Sequence, residues 1–229
     1  MSKNLLKRIT TSIILLFFLF FINFSHQYIF ILSIFILDLI IFLEAKNLFS
    51  KLLSTKSINE NLLIKKYQFK FLALNMIAFC YILFIFSYFS YEIHKTEGPE
   101  FFLFLISICF FTDIGGFIIG KIIGGKKLSK ISPNKTISGT IGSFIFSIFP
   151  LILISNFDYL NLEIKINNLI FCLIISLISQ LGDLFISYLK RKAKIKDTGN
   201  MLPGHGGILD RVDGIIFAVP FSYILIKLI

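Results

Sequence analysis

The chain has 229 residues, 56% of them hydrophobic and 16% aromatic, with a formal net charge of +10 and a mean hydropathy of +0.85. That composition exceeds what a water-facing surface accommodates and excludes a soluble globular domain. An all-α integral membrane protein, a polytopic helical bundle, is the fold class it points to.

A membrane-crossing helix takes about 20 mostly apolar residues. Seven stretches qualify, at 9–24, 28–43, 69–89, 101–120, 139–155, 169–186 and 215–229; the first two are short and closely spaced and read as a tight hairpin. Lys3, Lys7 and Arg8 before an apolar run imitate a secretory signal, but Asn23-Phe24-Ser25 is a poor cleavage site, so the segment is expected to stay as the first span. Placing the N-terminus in the cytoplasm puts 20 of the 23 basic residues on the inner side and leaves only Lys95, Lys165 and Lys227 elsewhere. The positive charge is thus a topology signal that needs no nucleic acid to explain it, and anionic lipid headgroups are its natural neighbours. Segment 44–70 mixes Leu and Ile with Lys, Asn and Ser, which suits either amphipathic helices on the inner leaflet or a solvated connector. Cys80, Cys109 and Cys172 each sit alone in an apolar span and read as buried hydrophobes. With no linker or repeat, residues 1–229 read as one membrane domain.

The first polar cluster begins inside the fourth span. Asp113 is embedded in apolar sequence, which costs about 2.5–3.5 kcal/mol on insertion scales and calls for a protein interior or wet cavity. Gly115, Gly116 and Gly120 follow at a spacing that permits close helix packing. The loop beyond them is rich in Gly, Lys and hydroxyls, a composition suited to phosphate. Residues 120–127 approach a P-loop, but Lys127 stands where Ser or Thr is required, and a helix rather than a strand precedes it.

The second cluster, residues 180–214, gathers acids, bases, a His and several glycines between two apolar spans. Asp210 and Asp213, three residues apart, share a face if that backbone is helical, with Cβ atoms about 5–6 Å apart. Asp183 lies near the cytoplasmic end of its span, at about the depth of Asp113. Converging carboxylates suit Mg²⁺, which takes few protein carboxylates and keeps positions for water and substrate phosphates; salt bridges to Lys190, Arg191 and Arg211 are the bland alternative. The glycines around His205 would let main-chain donors approach phosphate oxygens, and a simple turn remains the competing reading.

Ser187, Lys190, Arg191, Lys196, Asp197, Pro203, His205, Gly206, Gly207, Asp210, Arg211 and Asp213 resemble, in identity and spacing, the signature of the phosphatidate cytidylyltransferase (CDP-diacylglycerol synthase) family. Ser132-Pro133-Asn134-Lys135-Thr136, followed by Gly139 and Gly142, resembles a second region of that family, with Asn134 in place of a commoner Lys. The resemblance covers residues 101–229, as catalytic helices and cytoplasmic loops, and is weak over 1–100. It implies attack of phosphatidate on the α-phosphorus of CTP in a bacterial cytoplasmic membrane, with the site facing the cytoplasm. It also implies Mg²⁺ on Asp183, Asp210 and Asp213 with Asp113 in support, a second cation being left open. Phosphates fall to Lys190, Arg191, Lys196, His205, Gly206, Gly207, Arg211, Ser132, Lys135 and Thr136, and a homodimer is a reasonable assembly. The family commonly reads GDLxES where this chain has Ile186 in place of the acid. Asp38 and Glu44 have no assigned place. A CTP-dependent polyprenol or phytol kinase, which transfers the γ-phosphate, and a transporter lined by Asp113 and Asp183 remain as other readings. A CDP-alcohol phosphotransferase lacks its run of four acids here.

Overall fold

A computed structural model describes residues 3–54, 61–128, 132, 135–155, 164–204 and 206–228, with backbone alone at 3–9, 54 and 61–67. The described chain is α-helical, with two isolated bridges and no strand among the described residues. Helices α1 (Lys3–Asn23) and α2 (Gln27–Ser54) come first. The third span is composite: α3 (Asn61–Cys80), a π-helical segment (Tyr81–Phe86) and α4 (Ser87–Thr96). Then follow α5 (Pro99–Ile123), α6 (Ile137–Ser147), α7 (Phe149–Ile154), α8 (Ile166–Lys192), α9 (Leu209–Val212) and α10 (Ile215–Leu228).

Among the described residues, five helical stretches are long and apolar enough to cross a membrane: 27–53, 68–96, 99–123, 137–154 and 166–192. The other two expected spans are helical but shorter by this measure, Thr10–Asn23 and the 14 residues of α10. The chain is an all-α membrane protein. Large apolar side chains along α1, such as Phe17 and Phe21, are exposed, as a lipid-facing helix requires.

Segment 44–70 is helical over its described residues, as one of its two readings has it, but as extensions of the neighbouring spans. Helix α2 continues through Glu44 to Ser54 and α3 already begins at Asn61. Ala45, Leu48 and Phe49 repeat at helical spacing and are buried, so the packed face of α2 carries on past the end of the apolar run. Cys109 and Cys172 are buried as expected, whereas Cys80 is exposed.

The chain forms two compact units that interleave in sequence: residues 1–91 with 189–212, and residues 92–188 with 213–229. In the first, the π-helical segment of the third span precedes Ser87, whose hydroxyl bonds the fully buried Asp38 carboxylate of α2. In the second, α5 packs on α6 at glycine. A Cβ on Gly139 would stand 2.8 Å from the Gly116 carbonyl, and one on Gly142 would stand 2.8 Å from the Gly115 carbonyl. Only bare backbone allows that approach. Pro150 in the first turn of α7 ends α6 at Ser147, because its ring displaces the preceding helical hydrogen bond.

Candidate active site

The second unit holds a cavity of about 310 Å³ lined by Asp113, Gly116 and Phe117 of α5, Ser132, Lys135 and Thr136 of the α5–α6 loop, α6, and Gln180 and Asp183 of α8. The loop reaches it through an isolated antiparallel bridge between Lys127 and Thr136, beside which Leu128 N–H donates to the Lys135 carbonyl and Ile137 N–H donates to the Lys126 carbonyl. Thr136 caps α6, its hydroxyl oxygen accepting from Gly139 N–H at 3.0 Å. Lys135 is thereby held next to the helix start, and its ammonium pairs with Asp183 Oδ2. The other oxygen, Oδ1, accepts from Ser187 at 3.2 Å. The Lys135–Asp183 side chains are 31% and 22% exposed, so the pair is wet and exchangeable. Asp113 faces this cavity, as an intramembrane acid should.

The first unit holds the 197–210 loop. Helix α8 ends with Lys194 in the left-handed conformation, φ 56°, while Ile195 N–H reaches back to the Lys190 carbonyl. Lys190 donates to Asp210 Oδ1 at 2.8 Å, with side chains only 10% and 5% exposed. Oδ2 of Asp210 accepts from the amides of Thr198 at 2.8 Å and Gly207 at 3.0 Å. Burial alone would raise the Asp210 carboxyl, but the Lys190 ammonium and the two amides together hold it below the ordinary carboxylate value. Leu202 and Gly206 pair across the Pro203-Gly204 turn, where Gly204 and Gly206 have φ of 79° and 85°, angles that favour glycine.

Glu44 is one of two acids, with Asp38, that sequence reasoning left unplaced. It is 7% exposed and receives Thr198 Oγ1 at 3.1 Å, Ile208 N–H at 3.1 Å and Leu209 N–H at 2.8 Å. The available signal was an acid directly after a long apolar run, which demands donors from elsewhere in the chain.

The expected site residues therefore fall into two groups. Asp113, Asp183, Ser132, Lys135 and Thr136 line one cavity. Lys190, Asp210 and Gly207 form a hydrogen-bonded loop base, around which Arg191, Lys196 and Arg211 are exposed. Asp213 is 8% exposed, and its Oδ1 accepts from Gly214 N–H at 3.0 Å. Ile186, where an acid was expected, is buried. His205, Pro133 and Asn134 lie outside the described residues.

Among the described residues no three His, Cys, Asp or Glu side chains group as a ready-made metal site. The cavity instead offers two carboxylates, the Gln180 carboxamide and the hydroxyls of Ser132, Thr140 and Ser143. That is a donor set of hard oxygens, and it fits Mg²⁺, which binds through one or two carboxylates and completes its shell with water and phosphate.

A sequence profile described as the Cytidylyltransferase family matches residues 49–229. The chain is similar to the phosphatidate cytidylyltransferase of Staphylococcus saprophyticus, 42% identical over 134 residues, covering 58% of this chain and 51% of the relative. A phosphatidate cytidylyltransferase of Staphylococcus epidermidis is 39% identical over 166 residues (71% of this chain, 63% of the relative). That of Bacillus subtilis is 39% identical over 160 (66% and 57%). The chain thus spans from about half to just under two thirds of the length of these relatives. With the profile matching well over half of its residues, the chain belongs to the cytidylyltransferase family.

Proposed function

We propose that the protein transfers the cytidylyl group of CTP to phosphatidate, forming CDP-diacylglycerol and pyrophosphate at the cytoplasmic face of a bacterial membrane. The observation that carries this reading is the cavity, where residues of two separately recognised parts of the sequence, Ser132, Lys135 and Thr136 of one and Gln180 and Asp183 of the other, meet with Asp113. The names of the relatives supply the substrates.

A phosphate oxygen of phosphatidate is the nucleophile. It forms a bond to the α-phosphorus of CTP as the α–β bridging bond breaks, and the electron pair leaves on pyrophosphate. No covalent enzyme intermediate is needed. The task of the protein is to hold two polyanions in line and offset their repulsion. Mg²⁺, when bound, supplies charge neutralisation at the phosphates. Asp113 and Asp183 would hold it. Asp210 and Asp213, the other acids that the family resemblance assigns to the cation, would first have to release hydrogen bonds they now accept.

Lys135 has a distinct part. Its ammonium neutralises Asp183 before substrate arrives and is long enough to turn to a phosphate oxygen afterwards, so the cavity does not carry bare negative charge between turnovers. Lys190 keeps the loop base in place, and the exposed Arg191, Lys196 and Arg211 are the cations that the family resemblance assigns to phosphate. Phosphatidate enters laterally from the bilayer and CTP from the aqueous side. The assembly we propose is a homodimer.

The test is product formation by the purified protein in phosphatidylcholine vesicles containing phosphatidate, with Mg²⁺ and CTP labelled either in the base or at the γ-phosphate. Base label in lipid together with pyrophosphate release supports the transferase. Lipid labelled only from the γ-phosphate would replace it with the lipid kinase.

A further inference from the structure

We infer that Glu44 is the positioning residue of the 197–210 loop, the fixed carboxylate through which helix α2 sets the conformation of the segment that Lys196 and Arg211 flank; this deepens the transferase reading and rests on it.

The geometry is specific. Oε2 of Glu44 accepts from the Thr198 hydroxyl on the limb entering the loop and from Leu209 N–H on the limb leaving it, while Oε1 accepts from Ile208 N–H. One side chain therefore ties both limbs together, across 154 and 165 positions of sequence. The loop has made room for it. A Cβ on either Gly199 or Gly207 would collide with the Glu44 carboxylate, so both positions are glycine where the acid lies against bare backbone. Asp210 grips the same two limbs from within the loop, through the amides of Thr198 and Gly207. Thr198 is held twice, by its hydroxyl to Glu44 and by its amide to Asp210.

The amides of Gly207, Ile208 and Leu209 are all given to Glu44 or Asp210. They are not offered to phosphate, and anion recognition in this segment passes to side chains such as Lys196 and Arg211, whose placement depends on the two carboxylates. A carboxylate accepts three donors here without offering any. Glutamine in its place has one acceptor oxygen and an NH₂ that would face N–H and O–H donors. Charge as well as shape is therefore required at position 44.

The experiment uses the full chain in phosphatidylcholine vesicles containing phosphatidate and compares wild type, Glu44→Gln and Glu44→Asp. Amide hydrogen exchange reads the loop independently of chemistry. In Glu44→Gln, exchange over 197–210 is expected to rise about tenfold or more while α5 and α8 keep wild-type protection. The kcat for cytidylyl transfer is expected to fall by about 10²-fold, as misplacing groups by about 1 Å does, with KM for CTP little changed. Glu44→Asp, which keeps the charge, recovers part of both. Wild-type loop exchange or wild-type kcat in Glu44→Gln overturns the inference, as do equal losses in the Gln and Asp variants. If Glu44→Gln does not insert, Thr198→Val decides: faster exchange confined to the loop supports the clamp and unchanged exchange refutes it. A wild type that makes no CDP-diacylglycerol defeats the proposed function, while the exchange measurements still judge Glu44.

Discussion

The Lys190–Asp210 pair is buried, and its carboxylate also satisfies two amides. Asp210→Asn would leave the Lys190 ammonium buried against a neutral partner, and such half-broken pairs cost about 3–5 kcal/mol. We expect a lower melting temperature together with loss of transfer, measured by thermal unfolding in detergent and by the product assay. The pH dependence has a definite sign. The folded-state pKa of Asp210 is depressed below its ordinary 3.8, so its contribution to stability is complete above that value and fades only as the pH falls through and below it. A melting temperature that declined between pH 8 and pH 5 because of Asp210, vanishing as an effect in Asp210→Asn, would contradict this. Lys135 behaves differently. Its pair with Asp183 is partly exposed and contributes about 0–1 kcal/mol. Lys135→Met should therefore leave the melting temperature nearly unchanged and yet lower kcat by about 10²–10³-fold, the usual cost of removing one electrostatic contact to a transition state.

At the scale of elements, the α5–α6 contact in the second unit is built on glycine. Gly116, Gly139 and Gly142 approach neighbouring backbone or hydroxyl atoms so closely that a methyl group does not fit. Gly142→Ala is expected to destabilise by about 1–3 kcal/mol, the range for overpacking, and Gly142→Leu to prevent accumulation of folded protein. Because Thr136 caps α6 beside Lys135, a shift of this helix also displaces the cavity wall, so Gly142→Ala should lower transfer more than its stability loss explains. Gly116 was legible in a small-residue stripe with Gly115 and Gly120, whereas Gly139 and Gly142 entered through the family resemblance, and the break at Pro150 follows from the ring of proline. The extension of α2 past Leu43 was not legible as such, since charged residues at 44, 46 and 51 suggest an aqueous loop. Burial of Ala45, Leu48 and Phe49 overrode that signal.

For the whole molecule, the distribution of Lys and Arg makes a prediction about orientation that is independent of chemistry. In a chain whose own cysteines are replaced by serine or alanine, a cysteine at Lys127 should be shielded from a membrane-impermeant maleimide in intact cells, and one at Lys95 should be labelled. The opposite pattern would invert the topology and place the proposed site on the wrong side for CTP.

Composition and hydrophobic run length determined by themselves that the chain is helical and belongs in a membrane, because apolar runs of about 20 residues suit a spanning helix, which pairs its own backbone in lipid. The spacing of polar residues in 132–142 and 180–214 was enough to reveal the family, since those side chains are constrained locally by loops and caps. Only the tertiary structure decided which acid meets which donor. Asp183 is met by Lys135 and Ser187, Asp210 by Lys190 and two amides, and Glu44 by a loop more than 150 residues away. No periodicity records such pairings, because a hydrogen bond depends on distance in space, and the chain that separates its partners leaves no trace of it in their spacing.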